Sequence, residues 1–290
     1  MAKKIKYYYH KAYKLLELYF WRFIAIIYSS NYSQLFKKII LNNRDYLKKI
    51  KTFIPLEDYK INDYGIPNHI YKNINKQINK NPTYSDLIIC LLISLKKESL
   101  NYLEIGVSVM KNFMQVGNQI KNSNLVAYDI NSIVSTFSNS FIADSDLSNL
   151  HHKFENTNNF YYFNGDVLSK SDALKFSSKL QFRYDFIMSD AMHTKEGVIE
   201  EFKNLIIENL SNEFVLYYDD LDFPELEEAV IDNFSKLNSI YGNISLYTFW
   251  ISGWVGQNEK MHKNGIITNI NLEQILNENN IKLPFFKKIK

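Results

Sequence analysis

At 290 residues the chain can bury one large core, or one domain with an extension. Hydrophobic residues at 46% with 22% charged exclude wholesale disorder, and nine Gly with five Pro exclude collagen-like, linker-dominated and turn-dense all-β architectures. A net charge of +3, carried mostly by Lys scattered among acids, leaves no footprint for a nucleic-acid partner, and a single cysteine excludes internal disulfides and Cys-based zinc clusters.

The chain divides near residue 82. Residues 1–82 form a helical extension that begins with a helical pattern from about Tyr8 to Tyr28. Its polar residues (His10, Lys11, Lys14, Glu17, Arg22 and Ser29) fall within an arc of about 140°, and nearly everything else is apolar or aromatic. The stretch Leu15–Tyr28 is 14 positions long and contains Glu17 and Arg22, which is short for a span that needs about 20 apolar residues. It also carries internal charges and no small-residue cleavage site, so a cleavable signal peptide is not expected. Two readings stay open for residues 8–28. The helix docks on its own domain or on a sister subunit in a homo-oligomer, or it lies in a membrane interface with Phe20, Trp21 and Phe23 inserted. A second amphipathic helix is expected from Gln34 to about Phe53, followed by an irregular stretch containing Pro55, Gly65, Pro67 and Pro82.

From Thr83 onward short apolar strands alternate with helices. Ser85 is the expected cap of a helix running to about Lys97, within which Cys90 lies in the apolar run Leu87–Ile93 and reads as a buried thiol. A disulfide-free chain of this kind fits a reducing, cytoplasmic compartment. Strands are expected at 102–105, 124–128, 160–163, 184–189, 213–218, 244–251 and 265–270, with helices at 110–120, 195–210 and 224–237. Continuous apolar strands alternating with helices predict an α/β, Rossmann-like, seven-stranded, mostly parallel sheet covered on both faces. Ligands of such sheets bind beyond the carboxyl ends of the strands.

Those ends carry a consistent set of residues. The first strand leads into Glu104-Ile105-Gly106-Val107-Ser108, where a glycine lets the backbone approach a ligand and the next helix offers free N–H groups. Asp129 ends the second strand, 23 positions beyond Gly106, where a carboxylate can accept both hydroxyls of a ribose. Asn164-Gly165-Asp166 follows the third, Asp190-Ala191-Met192-His193 the fourth and Asp219-Asp220 the fifth. A pyrophosphate-binding turn needs G-x-G-x-x-G, and here only Gly106 is present, with Ser108 and Met110 nearby. This disfavours a dinucleotide oxidoreductase and favours a nucleoside without phosphates.

Residues from about 83 to 270 resemble the class I S-adenosylmethionine-dependent methyltransferases. The resemblance implies that Glu104, Gly106, Ser108, Asp129, Asp166 and Asp190 surround S-adenosyl-L-methionine, within a methyltransferase domain over 83–290. Many members carry a second glycine near Met110, so a bulky residue there is expected to crowd the methionine moiety.

Asp190-x-x-His193, Glu196-Gly197 and Tyr218-Asp219-Asp220 further resemble a metal-dependent subgroup that O-methylates sugar hydroxyls of glycosides, macrolides and surface glycans. That likeness implies Mg²⁺ on Asp190, Asp219 and Asp220, with His193 as general base and Asp190 beside it in the catalytic set. The partner implied is a small-molecule or glycan acceptor, and residues 1–82 are expected to cover its pocket as a lid, to mediate pairing of subunits or to meet a membrane surface. The other histidines, His10, His69, His151, His152 and His262, lack partners at ligand spacing and read as surface residues. Trp250 and Trp254 read as core or rim. A metal-independent small-molecule methyltransferase and a non-catalytic, membrane-associated module of the same fold, peripheral at the inner membrane face, are the alternatives.

Overall fold

A computed structural model describes residues 2–50, 82–108, 110–133, 141–143, 150–152, 157–253 and 260–290. Of the residues discussed above, Phe53, Pro55, Gly65, Pro67, His69 and Trp254 lie outside the described residues, as do the side chains of His10, Lys11, His151 and His152.

Helix α1 (Ala2–Ile27) begins earlier than the periodicity suggests, and α2 runs Gln34–Ile50. Helix α3 (Tyr84–Ser94) is capped by Thr83 rather than Ser85, because the Thr83 N–H donates to Asp86 Oδ2 at 2.8 Å and so satisfies the first free donor of the helix. The αβ alternation follows: β1 (Asn101–Ile105), α4 (Lys111–Gln119), β2 (Asn124–Asp129), β3 (Phe141–Ala143), β4 (Leu150–His152), β5 (Asn159–Asn164), α5 (Lys170–Lys179), β6 (Tyr184–Ser189) and α6 (Lys195–Glu201). Helix α6 widens into a π-helical turn over Phe202–Ile206 that buries Phe202, Leu205 and Ile206, so the helix expected over 195–210 is α-helical only at its start. The chain then forms β7 (Leu210–Tyr218), α7 (Pro224–Tyr241), β8 (Ser245–Ser252), β9 (Met261–Thr268), α8 (Leu272–Glu278) and β10 (Lys287–Lys288).

The sheet differs from the expected seven mostly parallel strands. Among the described residues it has ten strands, in the order β10-β8-β9-β7-β6-β1-β2-β5-β4-β3, and is mixed. Only β7-β6-β1-β2-β5 pair in parallel; β9, β8 and β10 on one side and the β4–β3 hairpin on the other are antiparallel. The physical reason is connection length. Parallel neighbours need a crossover, whereas β8–β9 and β3–β4 are joined by short links that return the chain directly. In strand order, β1 is the point where the chain turns from building toward β5 to building toward β7, and the crevice there is where a doubly wound sheet accepts a ligand.

Alternate strand residues feed two cores. Tyr102, Phe186 and Tyr217 face the layer made by α2, α3, α4 and α8, while Leu103, Ile187 and Leu216 face α5, α6 and α7. Cys90 is a free, fully buried thiol in the first layer, where burial pushes its pKa up to about 12. Helix α2 contributes Phe36, Ile39 and Ile40 to that same core. At its centre Asp86, fully buried, accepts from Arg44 Nη1 and Nη2 (3.2 and 2.8 Å) and from Asn43 Nδ2 (2.7 Å). Helix α1 seats Trp21 against Trp250, ring centroids 4.9 Å apart, with Ile24 and Met261 alongside. No helix among the described residues is long and apolar enough to cross a membrane.

Candidate active site

The parallel strands end level with one another because each is hydrogen-bonded one residue past its end. Gly106 N–H donates to Tyr128 O (2.8 Å), Gly165 N–H to Asp129 O (2.9 Å), Asp190 N–H to Ile105 O (2.9 Å) and Asp219 N–H to Ser189 O (3.2 Å). Above this rim opens a cavity of about 240 Å³. Six of the residues picked out from the sequence line it: Gly106, Ser108, Asp129, Asp166, Asp190 and His193. Glu104, Asp219 and Asp220 are not among its lining residues.

Gly106 has φ +85°, and a Cβ built on it would lie 2.4 Å from the Asp190 carbonyl oxygen. The glycine is therefore required first by the approach of the β1 and β6 ends to each other, and not only by a ligand. Asp129 ties the rim together. Its Oδ2 accepts from the Ser108 N–H (2.8 Å), and its Oδ1 accepts from the Asn131 N–H (2.8 Å) and Nδ2 (3.1 Å). Each carboxylate oxygen has two lone-pair sites, so Oδ1 is filled and one site on Oδ2 is left for a ribose hydroxyl. Asp166 Oδ1 accepts from the Leu168 N–H at 2.9 Å, and the Asp166 N–H donates to Asp172 Oδ2 at 3.1 Å.

Met110 does not crowd the cavity. It takes a left-handed conformation (φ 61°) as the cap of α4, and its side chain is fully buried in the core with Val107 and Phe113. Ser108 (φ 46°) and Asp220 (φ 56°) are also left-handed. Such conformations cost of order 1 kcal/mol or more in non-glycine residues and cluster at functional sites.

Glu104 lies beneath the cavity, held by the Tyr102 hydroxyl (2.5 Å) and Asn112 Nδ2 (2.7 Å). Burial pushes its pKa up to about 8 against these two hydrogen bonds, which pull it down. Glu201, bonded to the Ser189 hydroxyl at 2.5 Å, is likewise pushed up to about 7 by burial. Both groups thus hold protons in the folded chain that they release when it unfolds at neutral pH. Their stabilising contribution is complete below the ordinary value of 4.5 and is lost as pH rises through about 7 and 8. Glu104→Gln is accordingly expected to raise Tm by a few degrees at pH 8 and to leave it unchanged at pH 5, as read by differential scanning calorimetry.

Two overlapping groups of potential ligand atoms stand at the ends of β6 and β7: Asp190, His193 and Asp220, and Asp219, Asp220 and His262, each within 4.8 Å of one another. The expected trio Asp190, Asp219 and Asp220 is thus split across two groups that share Asp220. His262, read from sequence as a surface residue, is only 18% exposed, and its Nδ1 lies 2.8 Å from Asp220 Oδ1. It comes from β9, the antiparallel neighbour of β7, whose pairing of Gly265 with Tyr218 brings residue 262 opposite the loop after β7. No spacing signal points to it, since 42 positions separate the pair.

The electrostatics of this cluster are those of crowded acids. Burial raises Asp190 well above the usual carboxylate range, and the Asp219 and Asp220 charges raise it further. Asp219 is raised to about 6 by burial and by Asp220. Asp220 is lowered by its hydrogen bond with His262. For His262 burial disfavours the charged ring, but Asp220 and Asp219 outweigh it and its pKa rises. His193 is 56% exposed, its Nδ1 3.9 Å from Asp220 Oδ2. The donor chemistry fits a divalent cation: carboxylate oxygens and an imidazole converge, and the buried His262 Nε2 has no hydrogen-bond partner among the described residues.

No family model and no curated protein matches the chain. Among solved structures, it is similar to the O-methyltransferase TomG from Streptomyces achromogenes in complex with SAM, at 11% identity and a TM-score of 0.44 over 78% of this chain and 97% of that one. It is similar to the plantazolicin methyltransferase BpumL in complex with SAH, at 15% identity and a TM-score of 0.41 over 80% and 99%. A methyltransferase from Pyrococcus furiosus is similar at 13% identity and a TM-score of 0.40 over 64% and 82%.

Proposed function

We propose that the chain is an S-adenosylmethionine-dependent O-methyltransferase, assisted by a divalent cation such as Mg²⁺, that acts on a hydroxyl of a sugar, glycan or other small hydroxylated acceptor. The observation that carries this reading is the cavity at the turning point of the sheet, in which Gly106, Asp129, Asp166, Asp190 and His193 converge beside the Asp219–Asp220–His262 cluster. When bound, S-adenosylmethionine supplies an electrophilic sulfonium methyl group, and a cation on the carboxylates lowers the pKa of an acceptor hydroxyl.

The chain's own residues have distinct roles in this reading. Asp129 accepts from a ribose hydroxyl at the free site of Oδ2 while its bonds to the Ser108 and Asn131 N–H groups hold the carboxylate in place. Asp166 stands just past the end of β5, on the cavity wall, to accept from an exocyclic amine. Asp190, Asp219 and Asp220 are the carboxylates that would hold the cation; they fall in two groups that share Asp220, with His193 in one and His262 in the other. His193 is exposed on the cavity wall with Nδ1 toward Asp220, so its Nε2 is the atom that takes the acceptor's proton. His262, already hydrogen-bonded to Asp220, orients that carboxylate rather than serving as base.

Calorimetric titration with S-adenosylhomocysteine tests the nucleoside site: micromolar binding is expected, weakened about tenfold or more in Asp129→Ala, which removes a charge-assisted hydrogen bond. Transfer of labelled methyl to a panel of hydroxylated acceptors is then expected to need Mg²⁺ and to stop with chelator. Transfer that persists in chelator favours the metal-independent alternative, and absence of S-adenosylhomocysteine binding overturns the reading.

A further inference from the structure

Among the described residues, helix α1 is seated on the domain by one face. Trp21 and Ile24 are buried against Trp250 and Met261, whereas the opposite face presents Leu16, Tyr19, Phe20, Phe23, Ile26 and Ile27 to solvent. At 100° per residue these six lie within a sector of about 120°, continuous along more than two turns. Leu16 and Ile26 are 70% and 71% exposed. A contiguous apolar face of this kind marks an interaction surface, in contrast to apolar residues scattered singly.

The charge on the helix selects the partner. Within Ala2–Ile27 the sequence carries Lys3, Lys4, Lys6, Lys11, Lys14 and Arg22 against a single acid, Glu17. Glu17 projects in the sector of the seated face, between Trp21 and Ile24, with Lys14 just beyond Trp21, whereas Arg22 borders the exposed sector. Apolar and aromatic side chains on one face with basic residues along the same helix complement the acyl boundary and the negative headgroups of an anionic bilayer.

We propose that the outward face of α1 docks on an anionic membrane surface, the helix lying in the plane of the headgroups with the domain on its other side. This goes beyond the methyl-transfer reading and does not depend on it. Vesicle binding requires neither S-adenosylmethionine nor an acceptor, so the two fail independently.

The test is co-sedimentation of the full chain with vesicles of phosphatidylcholine alone and of phosphatidylcholine with phosphatidylserine. Binding is expected to the anionic vesicles, to weaken with salt, and to fall roughly tenfold or more in the double variant Phe23→Glu, Ile26→Glu, whose positions are solvent-exposed. Lys11→Glu with Lys14→Glu is expected to weaken binding to anionic vesicles while leaving near-ultraviolet circular dichroism unchanged. Failure to sediment with either vesicle, unchanged binding by the Phe23→Glu, Ile26→Glu variant, or equal binding to both vesicle types overturns the proposal. A lipid-free dimer that dissociates in that variant also overturns it and assigns the face to a second copy of the chain.

Discussion

Replacing Asp86 by alanine is expected to cost about 3–5 kcal/mol of unfolding free energy, most of what a domain of this size has to spare. The loss is large because the partners cannot relax into solvent. Arg44 is 1% exposed and would be left as a buried cation facing a void, with Asn43 and the Thr83 N–H also losing their acceptor. Arg44→Ala is expected to be comparably damaging, since it strands the carboxylate. The double variant Asp86→Leu, Arg44→Met removes both charges and is expected to recover much of the loss. Urea denaturation of the four proteins reads this directly. Additive losses in the double variant would mean that the two side chains do not act as a pair. The expected result would also establish that α2 is structurally part of the α/β domain, because this pair, with Phe36, Ile39 and Ile40, is what fastens it there.

Gly106→Ala is expected to combine the second-largest loss of stability with the largest loss of activity. The added Cβ would meet three backbone atoms, Asp190 O at 2.4 Å, Asp190 C at 2.6 Å and Ala191 Cα at 2.7 Å, at a residue whose φ of +85° already disfavours a side chain. Backbone cannot rotate away as a flexible side chain can, so one strand end must move relative to the other. The strain is expected to cost about 2 kcal/mol or more. Because Asp190 is the residue displaced, a shift near 1 Å there is expected to lower any methyl transfer by about 100-fold. Thermal unfolding and S-adenosylhomocysteine titration check the two halves separately. Wild-type affinity in Gly106→Ala would sink the reading that the β1 and β6 ends form one site.

The contrast between what could and could not be read from the chain has a physical basis. The strands β1, β2, β5, β6 and β7 are buried on both faces, so each leaves a continuous apolar run bounded by polar residues, and the acids that follow mark the rim. That is why Gly106, Asp129, Asp166, Asp190 and His193 could be named before their convergence was seen. His262 could not, because its place is set by the antiparallel pairing of β9 with β7. The direction of Met110 was equally hidden. Its left-handed backbone turns the side chain into the core, and residue type alone suggested an obstruction where there is none. Helix α5, absent from the expectation, had a legible signal in Ser169 and Asp172, where the Ser169 hydroxyl caps the helix. The short strands β3, β4 and β10 are two or three residues long, too short for any periodicity to emerge.

The seat of α1 also has a consequence for synthesis. Trp21 finds its stacking partner in Trp250, 229 positions later in the chain, and Met261 later still. At translation rates of about 5–20 residues per second, the helix emerges on the order of ten to fifty seconds before its seat exists. Throughout that interval both of its apolar sides are bare, including the one the finished fold covers. In a nascent chain of this design α1 is made before its seat, so a surface or chaperone near the ribosome exit meets that helix before the α/β domain does.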